Sequence, residues 1–144
     1  MMTRRFCCAL AITLSALLSG CGGESLPDLF IVKGKATHNG TAVADLNVTF
    51  QPADGSRGSS GGTDADGNFE LVYKNDVRGV PAGDYTVFVT WTPSDPETQG
   101  KLSNPNFKRP APYDTIHEKY GSAATSTLKV KIEANQENYE LKLD

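Results

Sequence analysis

The pattern that decides the fold is Tyr85-Thr86-Val87-Phe88-Val89-Thr90-Trp91, in which Tyr85, Val87, Val89 and Trp91 alternate along the chain. Alternate side chains of a strand point to the same face of a sheet, so this period of two predicts a half-buried β-strand. Four more stretches share it: Leu46, Val48 and Phe50; Phe69, Leu71 and Tyr73; Leu128, Val130 and Ile132; Tyr139, Leu141 and Leu143.

Turn residues separate these predicted strands. Asn39-Gly40 suits the positive φ angles of a two-residue hairpin, and we expect Asp66-Gly67 to form a second hairpin before Phe69. Pro81-Ala82-Gly83-Asp84 breaks the chain ahead of Tyr85, and residues 136–138 separate the last two strands.

An opening strand is expected at about residues 30–37, with Val32, Gly34 and Ala36 on one face. Small residues there indicate close approach of a neighbouring strand. Residues 28–144, about 117 in number, are enough for one domain. We therefore predict an all-β fold, a single antiparallel two-layer β-sandwich of about seven strands.

The N-terminal residues resemble the signal peptide of a bacterial lipoprotein. Arg4 and Arg5 precede an uncharged stretch at residues 6–19, which is shorter than the roughly 20 apolar residues of a transmembrane helix. Leu18-Ser19-Gly20-Cys21 resembles a lipobox. The resemblance implies a signal peptide at residues 1–20, cleavage before Cys21 and lipid, including palmitate, on the protein. An uncleaved anchor or a buried helix is the alternative.

Lipid on Cys21 would place the protein at the bacterial cell envelope, with residues 21–27 as a short tether. By the same resemblance Gly22, where Asp commonly marks inner-membrane retention, favours the outer membrane. Cys7 and Cys8 would be removed with the signal peptide. The folded domain is therefore expected to have no thiol for disulfides, metals or catalysis.

The charge of the chain argues against nucleic acid as a partner. It has 14 basic and 17 acidic residues, and removal of Arg4 and Arg5 leaves a net charge of about −5. Phosphate backbones are bound by clustered Lys and Arg. The densest such cluster here is Lys108-Arg109, in a proline-rich stretch.

That stretch runs from Pro93 to Ala124 and interrupts the alternating pattern. Loops longer than about 12–15 residues are usually functional or disordered, so we take this one as a candidate binding surface, with Tyr113, Ile116 and Tyr120 as possible partner contacts. A helical turn from Ile116 to Tyr120 would pack both side chains onto the sandwich. The alternative is an insertion that covers a sheet edge. Residues 55–62 are expected to be flexible.

Three blocks carry a resemblance to a known family: residues 34–43, 62–69 and 80–87. In order and spacing they resemble carboxypeptidase regulatory-like domains of the transthyretin-like type. The tail, with Tyr120, residues 126–128 and residues 138–141, resembles the ending of small bacterial lipoproteins that carry this domain. The resemblance implies a β-sandwich that serves as an accessory or adhesive module and is not a catalyst.

Asp64, Asp66 and Asn68 alternate like the oxygen ligands of a calcium loop. Phe69 stands where an EF-hand needs Gly, and Asn75 where it needs Glu. We therefore predict a turn stabilised by Asp and Asn side chains, and no metal site.

His38 and His117 are the only histidines. With Arg78 or Arg109 they could form a site like that of transthyretin-related hydroxyisourate hydrolases, but the chain lacks the C-terminal Tyr-Arg-Gly-Ser of those enzymes. We predict no catalytic residues. Tyr85 and Trp91 are expected in the core, whereas Tyr113 and Tyr120 are expected to be freer.

The sequence thus predicts a non-enzymatic, membrane-anchored lipoprotein without a cofactor, acting as a structural or binding module at the cell envelope. Its expected partners are the membrane, through Cys21, and an envelope protein or glycan. The alternative is a small-ligand carrier, or a transthyretin-related hydrolase that uses His38 and His117.

Overall fold

A computed structural model describes residues 25–144. The predicted signal peptide, Cys21 and the first part of the predicted tether lie outside these residues. The described part contains twelve strand segments and two helices: β1 (Leu29–Phe30), β2 (Val32–His38), β3 (Thr41–Ala42), β4 (Leu46–Pro52), β5 (Ser59–Gly62), β6 (Asn68–Glu70), β7 (Val72–Lys74), β8 (Val77–Arg78), β9 (Val80–Pro81), β10 (Gly83–Trp91), α1 (Pro96–Lys101), α2 (Tyr113–Tyr120), β11 (Lys129–Ile132) and β12 (Gln136–Lys142).

The strands form two main sheets whose inner faces pack together. The large sheet has the order β11-β10-β4-β5-β7-β8, the small sheet has the order β12-β2-β3, and β6 also pairs with β2. β1 and β9 make a separate pair. All pairs are antiparallel except β12 with β2, which is parallel. The predicted β-sandwich is confirmed, with one parallel pair and more strand segments than the seven expected.

Most of the alternating residues fill the core as predicted, whereas Trp91, Leu128, Val130 and Tyr139 are only partly buried against it and Tyr73 is not part of it. Leu46, Val48 and Phe50 of β4 are at most 1% exposed, and Tyr85, Val87 and Val89 of β10 are at most 3% exposed. Seven residue pairs join β4 and β10 without a register shift, from Tyr85↔Pro52 to Trp91↔Leu46. Side chains of the other strands complete the core, among them Val32, Ala36, Phe69, Leu71, Ile132, Leu141 and Leu143.

The stretch from Phe69 to Tyr73 is two strands rather than one. β6 pairs with β2 in the small sheet, whereas β7 pairs with β5 in the large sheet. The chain crosses between the sheets at Leu71, which is fully buried. Alternation alone could not reveal the crossing, because Phe69 and Leu71 point into the same core from both sheets.

Within the stretch predicted to be flexible, residues 55–62, the last four residues form the regular strand β5. This strand pairs with β4, and its buried Ser59 hydroxyl donates to the carbonyl of Gly79. A Cβ on Gly61 would lie 2.1 Å from the carbonyl oxygen of Glu70. Glycine thus lets two backbones meet in β5 without the apolar pattern of an ordinary strand.

The turns agree in part with prediction. Asn39 and Gly40 have φ angles of 50° and 76°, and they join β2 to β3 in the predicted hairpin. The second hairpin is wrong: in Asp66-Gly67 only Gly67 has a positive φ, and the turn links strands of different sheets. The prediction that residues 136–138 separate the last two strands is wrong, because β12 already begins at Gln136 and the turn comes before it.

The sandwich has two ends, which the strand directions define. The chain enters at Leu29, and we call this the tether end; Gly83 and Gln136, the first residues of β10 and β12, lie there too. β2 and β10 both run away from it. The opposite end, here the far end, includes His38 and Trp91. The nine residues of β10 separate the two ends by about 27 Å.

Candidate functional site

The outer face of the small sheet carries a groove of about 890 Å³. Its walls come from β2, β6 and β12, and its rim is completed by residues just before β6. Residues of both charges surround it, with the cations Lys33, Lys35 and Lys142 and the anions Asp64, Glu70, Glu137 and Glu140. We call it the charged groove.

A bulge in β12 shapes one wall of the charged groove. The pairing of β12 with β2 shifts register between Gln136 and Tyr139, so Glu137 and Asn138 form an irregular step at the rim. Gly34 faces this step. A Cβ there would lie 2.3 Å from the carbonyl oxygen of Tyr139 and 2.8 Å from the Phe69 ring. The close approach predicted for this strand is confirmed, and bulges of this kind often re-aim side chains at functional sites.

Exposed ion pairs surround the groove, both between strands and within one strand. Glu70 of β6 lies 3.9 Å from Lys33 and 3.5 Å from Arg78. Lys142 and Glu140 of β12 are 3.4 Å apart. Their side chains are between 28% and 77% exposed, so each pair contributes at most about 1 kcal/mol to stability. These weak pairs leave the charges free to exchange partners.

Asp64 accepts the hydrogen bonds that hold the turn before β6. One carboxylate oxygen of Asp64 accepts the backbone N–H groups of Asp66 and Asn68, each at 2.8–2.9 Å, and the other accepts the side-chain amide of Asn68. The hydrogen bonds from Asn68 lower the pKa of Asp64. Asp64 therefore stabilises the turn, as the turn chemistry predicted.

The three residues proposed as partner contacts have different environments. Ile116 and Tyr120 are buried on one side of α2, with 2% and 8% exposure, and the Tyr120 hydroxyl donates to the carbonyl of Asp144 at 2.6 Å. The predicted helical turn is thus present, and the expectation that Tyr120 is freer is wrong. Tyr113 is half-buried, and burial raises its pKa.

Tyr113 belongs to a stack of three aromatic rings at the far end. Trp91 stacks with Tyr113, at 4.7 Å between ring centroids, and with Phe107, at 6.5 Å. The planes are within 17° of parallel. The indole N–H of Trp91 is buried and has no hydrogen-bond partner among residues 25–144. Since Trp91 ends β10 and both of its stacking partners belong to the proline-rich segment, the stack fastens this segment to the sandwich.

The proline-rich segment covers part of a sheet edge. β11 pairs with β10 only from Gly83 to Thr86. Farther along, residues that follow the segment continue the edge, since Val87 donates its N–H to Leu128 and accepts from the Ser126 hydroxyl. Within the segment, α2 packs against β10. The packing of α2 agrees with the edge-covering alternative.

The two histidines have separate partners. His38 Nδ1 lies 2.5 Å from the Leu143 carbonyl oxygen, and its Nε2 lies 3.0 Å from the amide nitrogen of Asn39. Burial, and then the charge of Arg109, lower the pKa of His117. Neither histidine lines the charged groove.

Within residues 25–144, no helix is long and apolar enough to cross a bilayer. The same residues contain no group of three or more His, Cys, Asp or Glu side chains placed to hold a metal ion.

Sequence reasoning missed the charged groove, since its residues come from strands that are distant in sequence. The only sequence feature related to the groove was Gly34, whose small size predicted that another strand packs closely against it. Nothing in the sequence marked the bulge at Glu137 and Asn138.

No family model matches the chain, and no curated protein matches it. Among solved structures, the chain is similar to BcpA, the major pilin subunit of Bacillus cereus, with 15% identity and a TM-score of 0.43 over 81% of this chain and 29% of that one. A single-substitution variant of BcpA gives 16% identity and a TM-score of 0.46 over 81% of this chain and 30% of that one. This chain therefore spans about a third of those pilin subunits.

Proposed function

We propose that this protein is a non-enzymatic lipoprotein, held at the bacterial cell envelope by lipid on Cys21, whose sandwich binds a polypeptide segment of an envelope protein in the charged groove. The observation that carries the proposal is the groove itself, about 890 Å³ in volume and walled by three strands and the bulge of β12. Exposed charges of both signs line it, so a partner segment that carries Lys and Glu finds counter-charges at every strand.

The environment of His38 supports a binding role over catalysis. Its Nδ1 is hydrogen-bonded to the Leu143 carbonyl oxygen, which ties β2 to the C-terminal residues, and its Nε2 is hydrogen-bonded to the side-chain amide of the neighbouring Asn39. A general base needs a free nitrogen within reach of the proton that it abstracts. The resemblance to carboxypeptidase regulatory-like domains fits an accessory module of this kind.

The tether also favours binding close to the membrane. Residues 22–27 span at most about 20 Å when fully extended, and β1 follows directly at the tether end. The bulge of β12 lies at that end, because β12 begins there and runs parallel to β2. The tether-end part of the groove would therefore face proteins that lie near the bilayer.

Site-specific photo-crosslinking in cells tests the binding role. A photoreactive residue in place of Asn138, at the groove, is compared with one in place of Asn104, an exposed position in the proline-rich segment. We expect a cross-linked envelope protein at position 138 alone. Charge reversal by Glu137→Lys with Glu140→Lys should abolish it, whereas a cross-link that survives the reversal argues against the groove.

The anchor is tested separately by Cys21→Ser. We expect the wild-type protein to float with membranes and the variant to remain in the soluble fraction after osmotic release. A wild-type protein whose Cys21 is an unmodified thiol by mass spectrometry would refute the anchor and leave the groove unaffected.

The size of the groove favours a second candidate, a small-ligand carrier, because pockets for small molecules usually measure about 300–1,000 Å³. Native mass spectrometry of the protein purified from its own host distinguishes the two. A bound small molecule that is lost in the Glu137→Lys, Glu140→Lys variant would favour the carrier.

A further inference from the structure

The outer face of the large sheet differs in chemistry from the charged groove on the opposite side of the sandwich. The middle part of its central strands, β4 and β10, presents six side chains to solvent, and all are uncharged and partly exposed: Asn47, Thr49, Gln51, Thr86, Phe88 and Thr90. Asp84, the next outward residue of β10 toward the tether end, is charged, lies opposite Lys131 of β11 and stands outside this set. We call this surface the neutral face.

The side chains of the neutral face form a regular grid. The register pairs Thr86 with Gln51, Phe88 with Thr49 and Thr90 with Asn47, with no bulge between them. Ser60 of β5 extends the middle row, since it lies opposite Thr49. From the strand rise and spacing, the grid measures about 13 Å along β10 and about 10 Å across three strands.

Phe88 is the aromatic centre of this grid. Its neighbours in β10, Val87 and Val89, point into the core and are at most 1% exposed, so Phe88 points outward. Its ring is not among those packed on the core. A partly exposed aromatic ring amid hydroxyl and amide groups leaves an apolar surface surrounded by hydrogen-bonding partners.

Further charges lie at the lateral edges of the neutral face and are engaged with other groups. On one side, the Lys129 ammonium donates to the Thr86 hydroxyl. Across the sheet, Arg78 lies on the outermost strand and pairs with Glu70. A charged ligand would therefore find no counter-charge over the centre of the grid.

We propose that the neutral face binds an extended, uncharged polysaccharide chain of β-linked hexopyranose. Such a chain exposes C–H groups on the faces of its rings and hydroxyl groups at their edges. The C–H groups would pack on the Phe88 ring, and Thr, Asn and Gln side chains supply both donors and acceptors for the hydroxyl groups. The match rests on charge and shape: the ligand is neutral and extended, as the grid is.

A depletion assay with insoluble cellulose tests this proposal. Full-length protein in mild detergent is mixed with cellulose powder, and the unbound fraction is measured against powder concentration. We expect Phe88→Ala to weaken binding about tenfold, and Thr49→Val, which removes one hydroxyl at nearly constant shape, to weaken it less. Lys119→Ala, at an exposed position of α2, is the matched control and should bind as the wild type does.

Four outcomes would overturn the proposal. Wild-type protein that stays entirely unbound, or that binds as well after Phe88→Ala with an unchanged unfolding temperature, excludes the neutral face. Equal competition by soluble polygalacturonate, an acidic chain, shows that neutrality is irrelevant. A dimer that dissociates on Phe88→Ala assigns the face to self-association. The groove experiments use other residues and another readout, so failure here leaves the groove proposal standing.

Discussion

The substitution Gly34→Ala gives the sharpest test of how the small sheet is built. A Cβ at this position would lie 2.3 Å from the carbonyl oxygen of Tyr139 and 2.8 Å from the Phe69 ring. Ordinary contacts begin near 3.4 Å, so β12 would have to withdraw from β2 by about 1 Å. Such a shift stretches the parallel ladder that joins the two strands.

We expect Gly34→Ala to lower the free energy of unfolding by about 3 kcal/mol, the upper part of the usual range for overpacking, because the backbone oxygen cannot rotate away. For a domain of this size the unfolding temperature should fall by about 10 °C. Urea denaturation followed by tryptophan fluorescence gives the free energy, and circular dichroism gives the temperature.

Gly100→Ala is the matched control. Gly100 lies in α1, and a Cβ there would meet nothing within 4 Å. Alanine favours helix over glycine by up to about 1 kcal/mol, so this variant should be as stable as the wild type or slightly more stable. A Gly34→Ala protein whose denaturation midpoint matched that of Gly100→Ala would refute the close packing of β2, β6 and β12.

Three further predictions concern stability. Tyr120→Phe removes the hydrogen bond to Asp144 and should cost about 1 kcal/mol in urea denaturation; an unchanged midpoint would mean that the bond is not made in solution. Burial lowers the pKa of His117 below its usual 6.5, so the unfolded chain takes up that proton first and stability is lost as the pH falls below 6.5. His117→Gln should make the decline between pH 7 and pH 5 shallower than in the wild type, and a parallel decline would contradict the shift. Asp64→Ala removes the acceptor of two backbone N–H groups and should raise amide exchange at residues 64–68; unchanged exchange would show that the side chain does not hold the turn.

Much of the fold could be predicted because the alternation is local. Leu46, Val48 and Phe50 report their own burial through spacing alone, whichever strand lies beside them. The hairpin at Asn39-Gly40 was also predictable, because positive φ angles restrict the residues that fit. Both predictions rest on a few adjacent residues.

The rest depends on contacts between distant residues. Ser59–Gly62 forms a strand because glycine admits the backbone of Glu70, and that reason lies outside the strand. The charged groove needs the register of β12 against β2, which places Glu137 beside residues about 100 positions earlier. The neutral face could not be predicted for a different reason. Alternation identifies which residues point inward, but only the pairing of β4 with β10 shows that their outward residues form one surface.

The position of β2 has a mechanical consequence. The tether leads through β1 into β2, which is hydrogen-bonded to β12 on one side and to β3 and β6 on the other. Tension from an anchored N-terminus therefore pulls along this strand and loads many hydrogen bonds at once in shear. We expect single-molecule pulling through the N-terminus to require more force than pulling through an attachment in α1, which would peel the proline-rich segment away piece by piece. If the proposed anchor on Cys21 is present, it would suspend the domain by its central strand, an arrangement suited to hold a load.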